Sequence, residues 1–61
     1  MATFKIKKDT ADNYYWILKS DANQKIIAKS SESYESKQGS EDSIAWVKAN
    51  AEKAIVVDET K

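Results

Sequence analysis

There is no cysteine, no histidine and no arginine anywhere in the chain. Without cysteine no disulfide can brace the fold, and without either cysteine or histidine the common zinc sites are excluded. The same gap removes the usual nucleophile–base pairs of covalent catalysis, in which histidine activates serine or cysteine. No apolar run approaches the 18 residues of a membrane span. The opening residues Met1-Ala2-Thr3-Phe4-Lys5 lack the basic-then-apolar layout of a secretory signal, so a cytoplasmic location is the default expectation. An excess of one charge is missing too: ten lysines balance ten acids, which argues against a bulk electrostatic nucleic-acid binder.

With 61 residues the chain is one domain at most. A domain of this size buries about 60% of the surface its unfolded chain exposes and is marginal alone. Disulfides, a metal or oligomerisation are the usual remedies, and oligomerisation is the one that remains. The charge is unevenly spread. Residues 1–29 carry six lysines against Asp9, Asp12 and Asp21; residues 30–61 carry four against seven acids, so the halves are +3 and −3. Opposite halves attract within one chain or across a dimer, although exposed pairs add only about 0–1 kcal/mol each.

Thr3 to Lys8 alternates Phe4 and Ile6 with Lys5 and Lys7, the period of a strand. Asp9 to Asn13 is a cluster of turn formers. Tyr14 to Lys19 is the best strand, aromatic-rich and partly apolar on both faces, which places it centrally. Ser20 to Gln24 forms the next turn, with Asn23 as the residue suited to a left-handed backbone. Lys25 to Ser30 is a third strand whose inward face the pattern leaves open. Three short strands and two short turns make an antiparallel meander. After a polar stretch around Tyr34 a helix follows, capped by Ser36 or Ser40, with Glu41 and Asp42 expected near its positive end. Ile44, Val47 and Ala51 form its apolar stripe, and Asn50 is the expected stop. Ala54 to Asp58 is predicted as a final strand and 59–61 as a frayed tail.

The predicted order is β-β-β-α-β, an α+β fold with Phe4, Ile6, Trp16, Leu18, Ile44, Val47, Ile55 and Val57 as core and Val56 as the alternative inward residue of the last strand. Ala54, Ile55, Val56 and Val57 are consecutive apolar residues, the mark of a strand sheltered on both sides. One helix covers one side of a four-stranded sheet. That shortage predicts a second copy of the chain.

The run Asn23-Gln24-Lys25-Ile26-Ile27-Ala28-Lys29-Ser30, then Tyr34-Glu35-Ser36-Lys37, then Ser43-Ile44-Ala45-Trp46-Val47-Lys48-Ala49-Asn50-Ala51 resembles the YegP-like family of small, mostly bacterial proteins of unknown function. The likeness extends from Phe4 to Thr60. It implies a β-β-β-α-β repeat, present once or twice per chain, in which two repeats share one sheet and exchange their last strands. A one-repeat chain would form the same object as a homodimer. The sequence departs from the family where Tyr15 and Ile17 stand at positions often held by arginine, where Ser43 replaces a frequent glycine, and where Trp46 replaces a small residue. An anion-binding role at positions 15 and 17 loses support from those changes, and the sheet face becomes more apolar.

Candidate chemistry is sparse. Ser33-Tyr34-Glu35-Ser36-Lys37 can be written as a Ser/Lys or Tyr/Lys site, but the same residues describe a helix start with Ser36 capping, Tyr34 packing and Lys37 solvated. Asp9, Asp12 and Asp21 sit in turns without the spacing of a calcium loop, and Glu41 with Asp42 suits a helix start better than a general acid–base pair. Lys5, Lys7, Lys25 and Lys29 with Tyr15 outline a basic, aromatic sheet face, of the kind that binds nucleic acid or simply keeps strands soluble. Trp46 lies off the apolar stripe and, with Tyr15 and Ile17, forms a candidate binding surface for another protein. No enzyme activity, cofactor or metal is expected. The expected function is a homodimeric interaction module, with a weak nucleic-acid-binding sheet as the alternative.

Overall fold

The computed structural model describes residues 1–60. Strands β1 (Ala2–Lys8), β2 (Tyr14–Ser20) and β3 (Ile26–Lys29) form one antiparallel sheet in the order β1-β2-β3. Helix α1 (Lys37–Asn50) follows and ends in a single 3₁₀ turn, Ala51–Lys53. The α+β class and the meander agree with the sequence pattern.

Both hairpin turns are built by acid and amide side chains that hold backbone N–H groups. The Asp9 carboxylate accepts from the N–H of Ala11 at 2.9 Å and of Asn13 at 3.0 Å. Asp12 takes the left-handed backbone at φ 63°. In the second turn the left-handed residue is Gln24 (φ 60°) rather than the expected Asn23. Asn23 is committed elsewhere: its side-chain oxygen accepts from the N–H of Lys25 at 3.1 Å, which leaves the sharp bend to its neighbour.

Register sorts the side chains into two faces, since residues paired across antiparallel strands point the same way. One face holds the rows Phe4–Leu18–Ala28, Ile6–Trp16 and Lys8–Tyr14. The opposite face holds Lys5–Ile17–Lys29, Lys7–Tyr15 and Lys19–Ile26. A bulge between Leu18 and Lys19 leaves Ile27 unpaired, so the alternation that groups Ile27 with Lys25 and Lys29 is broken. Beyond β3 the chain continues beside β2, where Tyr14 and Tyr34 exchange two backbone hydrogen bonds of 2.7 Å.

Helix α1 packs on β2 and β1 and not on β3. Ser36 is its N-cap, its hydroxyl accepting from the N–H of Gly39 at 3.1 Å. Three sequence expectations about this helix are corrected. With Ser36 as cap, Glu41 and Asp42 fall past the first turn, which holds no acid. Asn50 does not stop the helix in a left-handed conformation; its backbone stays right-handed, and its side chain donates to the Trp46 carbonyl at 2.8 Å. Ala51 is exposed, so the inward stripe reduces to the half-buried Ile44 and Val47.

The core is correspondingly thin. Trp16 is buried, with Phe4 edge-on at 5.4 Å between ring centroids. Phe4, Ile6 and Leu18 are half-buried. Ile17, expected on an open outer face, is 4% exposed. It occupies the central strand between Lys5 and Lys29, whose aliphatic stems are long enough to cover an apolar neighbour.

The strand expected over Ala54–Asp58 has no pairing partner among the described residues, and residues 54–60 have no regular secondary structure. Ile55, Val56 and Val57 are 84%, 96% and 65% exposed, so Ile55 and Val57 are not core residues of one chain. The backbone at Ala54 is nevertheless extended, at φ −67° and ψ 138°. Within the expected frayed end, the Thr60 hydroxyl and N–H both donate to Asp58 Oδ1; Lys61 lies outside the described residues.

Candidate functional site

Two surfaces hold the residues singled out in the sequence, and they lie on opposite sides of the sheet. Tyr15, Lys5, Lys7 and Ile17 belong to the face away from the helix. Trp46 is on α1, which covers the other face. The binding surface expected from Tyr15, Ile17 and Trp46 together is therefore not one surface. Ile17 is too buried to contact a partner directly.

On the outer face, Tyr15 is half-buried and paired with Lys7. The Lys29 ammonium sits 5.2 Å from the centre of its ring, within cation–π range. Tyr15 and Lys29 form one wall of a recess of about 290 Å³, whose other walls are Asp9 and residues 30–33. The Asp9 pKa is lowered from its ordinary value by the Asn13 N–H first, then by the Ser33 hydroxyl and the Ala11 N–H. Its charge is engaged by its own turn.

On the helix side, Trp46 is 67% exposed. With Asn50, Ala51, Lys53 and Ala54 it lines a mainly apolar groove of about 300 Å³. The exposed segment Ile55–Val57 leaves from the end of this groove, so apolar surface is continuous from the helix into the C-terminal segment.

Ser33, Tyr34 and Ser36 each have a structural task. Ser33 donates to Asp9 Oδ2 at 3.0 Å, Ser36 caps α1, and the Tyr34 hydroxyl donates to Ser43 Oγ at 2.9 Å. Lys37 is exposed. Asp21 accepts from the Thr3 hydroxyl at 2.7 Å, fastening the second turn to β1. Ser43 had no assigned role in the sequence pattern. Its Oγ also accepts from Trp16 Nε1 at 2.9 Å, so it joins helix, central strand and loop. A lone hydroxyl facing the apolar stripe was the available signal.

A three-stranded antiparallel meander crossed by one helix, with an apolar segment exposed at its end, is a small α+β unit. The chain belongs to the family described as Domain of unknown function (DUF1508), whose model matches residues 9–58 and which is also called YegP-like. It is similar to a solved structure described as the NMR solution structure of the protein from Haloferax volcanii, with 44% identity, a TM-score of 0.86 and 93% of each chain covered. No curated protein matches the chain.

Proposed function

We propose that the protein is a non-enzymatic, homodimeric interaction module whose residues 54–58 complete the sheet of a second copy. The observation that carries this is the exposure of Ile55, Val56 and Val57 in the single chain. Burying three such side chains is worth roughly 4–9 kcal/mol before ordering costs. That is comparable to the whole stability of a small domain.

The course of the chain favours the edge of β1 as the acceptor. Tyr34 lies on the β3 side of β2, and α1 then packs over β2 and β1. The segment after the helix thus leaves on the β1 side. A strand returning along the sheet from such a helix runs parallel to its own β1. A two-fold axis normal to the sheet reverses it against the β1 of the second copy, giving antiparallel pairing throughout, the better ladder. Charge agrees: β1 carries Lys5, Lys7 and Lys8, and the segment ends in Asp58 and Glu59.

The non-enzymatic reading rests on the occupied side chains of Ser33, Tyr34 and Ser36 and on the lack of histidine and cysteine. Light scattering on the eluting protein at micromolar concentration tests the dimer. A folded monomer would end the proposal. Ile55→Asp or Val57→Asp places a charge in the exchanged strand at a cost of several kcal/mol, and folding and association should be lost together.

A further inference from the structure

The neutral balance of the chain hides a segregation that the fold makes spatial. The three strands contain Lys5, Lys7, Lys8, Lys19 and Lys29 and no acidic residue at all. The acids lie in the turns, the loop before α1, the helix, the 3₁₀ turn and the C-terminal segment. Four of the strand lysines, Lys5, Lys7, Lys19 and Lys29, share the face opposite the helix. Charges more than about 8 Å away are largely screened at physiological salt, so acids beyond the helix do little to neutralise that face.

We propose that this outer face binds single-stranded nucleic acid, with Tyr15 stacking on a base and Lys5, Lys7 and Lys29 contacting the flanking phosphates. Binding single strands without reading their sequence calls for an aromatic platform beside cations that follow a backbone. Tyr15 supplies the platform. Lys7 faces it in register, and Lys29 already holds its ammonium 5.2 Å from the ring centre. Lys5 and Lys7 are two residues apart along β1, about 6.8 Å, and Lys29 is two strands away, about 10 Å. These spacings suit an extended chain laid across the sheet.

The recess beside Tyr15 supports the same assignment. At about 290 Å³ it is at the small end of ligand pockets, with room for one planar ring. Ser31 on its wall offers a hydroxyl to a ring edge or a phosphate. Two carboxylates also line it: Asp9, already bound by two backbone N–H groups and the Ser33 hydroxyl, and the exposed Glu32.

An anionic membrane fits less well. At the centre of the face Tyr15 is half-buried and Ile17 is 4% exposed, and the exposed Ile26 stands at its β3 edge, away from Lys5 and Lys7. An acidic peptide would meet the lysines but leave the aromatic wall without a ring to stack on. The site is complete in one chain, so it does not depend on the dimer. Pairing at β1 would extend the face rather than cover it.

The test is fluorescence anisotropy of a labelled oligothymidylate and the matching oligouridylate with the whole protein. It runs at about 50 mM and about 200 mM salt, beside polyglutamate and anionic phosphatidylglycerol vesicles. Circular dichroism verifies the fold of every variant. Binding at low salt that weakens at least tenfold at high salt is expected. Tyr15→Ala should weaken it by about 5- to 150-fold, the range of one lost base stack, with the salt slope unchanged. Lys5→Glu with Lys7→Glu should weaken it and flatten the slope. Amide shifts on titration should centre on residues 5, 7, 15 and 29. No binding at low salt would overturn the proposal. So would binding indifferent to Tyr15→Ala, or polyglutamate or vesicles bound as tightly as the oligonucleotides.

Discussion

Ser43 accepts hydrogen bonds from Trp16 Nε1 and from the Tyr34 hydroxyl, both at 2.9 Å. In so thin a core this hydroxyl ties together three segments that share little apolar contact. Ser43→Ala leaves two partly buried donors unpaired, at about 1–3 kcal/mol each. We expect a loss of about 2–4 kcal/mol in urea denaturation, with altered Trp16 fluorescence; an unchanged midpoint would contradict the role given to Ser43. Ser40 is the opposite case. It is 0% exposed and its hydroxyl has no partner. Ser40→Ala removes a desolvated polar group from a helix that favours alanine. Stability should rise by about 1 kcal/mol, and a clear fall in the same denaturation experiment would show that the hydroxyl is used. The sequence marked Ser43 only as a lone hydroxyl beside the apolar stripe, and Ser40 only as a candidate cap. Residues 16, 34 and 43 meet only once the helix lies across the sheet, and a serine's burial has no local signature. Lys5, Lys7 and Tyr15 were legible as neighbours because strand alternation fixes which side chains share a face.

At the scale of elements, alternation marked β1 and β2, and clusters of turn formers marked the hairpins. What failed was the assignment of tasks within turns and caps. Gln24 takes the left-handed position expected of Asn23 because an Asn side chain can either favour a left-handed backbone or hold the N–H two residues on. Glu41 and Asp42 look like first-turn acids only if Ser40 is the cap; the competing cap Ser36 shifts the helix start by four residues. The first turn offers a pH test. Asp9 has its pKa lowered from 3.8 by the Asn13 N–H, the Ser33 hydroxyl and the Ala11 N–H. A depressed folded-state pKa gives stability that is present above the unfolded value and lost as pH falls through the folded one. Asp9→Asn keeps an acceptor oxygen but cannot titrate. Melting temperatures taken from about pH 5 down to about pH 2 should therefore fall less steeply for the variant. Parallel curves would mean that the Asp9 carboxylate is not what binds this turn.

For the whole molecule, the sequence exposed a shortage: four apolar residues at the end of a chain whose helix can cover one side of a sheet. The structure locates that shortage in Ile55, Val56 and Val57, and shows the helix before them packed over β2 and β1. The sequence could not supply the edge, because that depends on where the helix crosses. Coupled folding and association predicts a melting temperature that rises with protein concentration by mass action. A value constant over about a hundredfold dilution would point to a self-sufficient monomer. The bulge that leaves Ile27 unpaired bears on how far such assembly can go. If β1 is occupied, β3 is the edge left bare, and it offers four residues bent out of line by one extra. A fibre grows on long, flat, regular borders. A short crooked border gives an incoming strand no register to copy, so on the proposed pairing the irregularity would act as a terminator, holding the joined sheet to two chains with blunt ends.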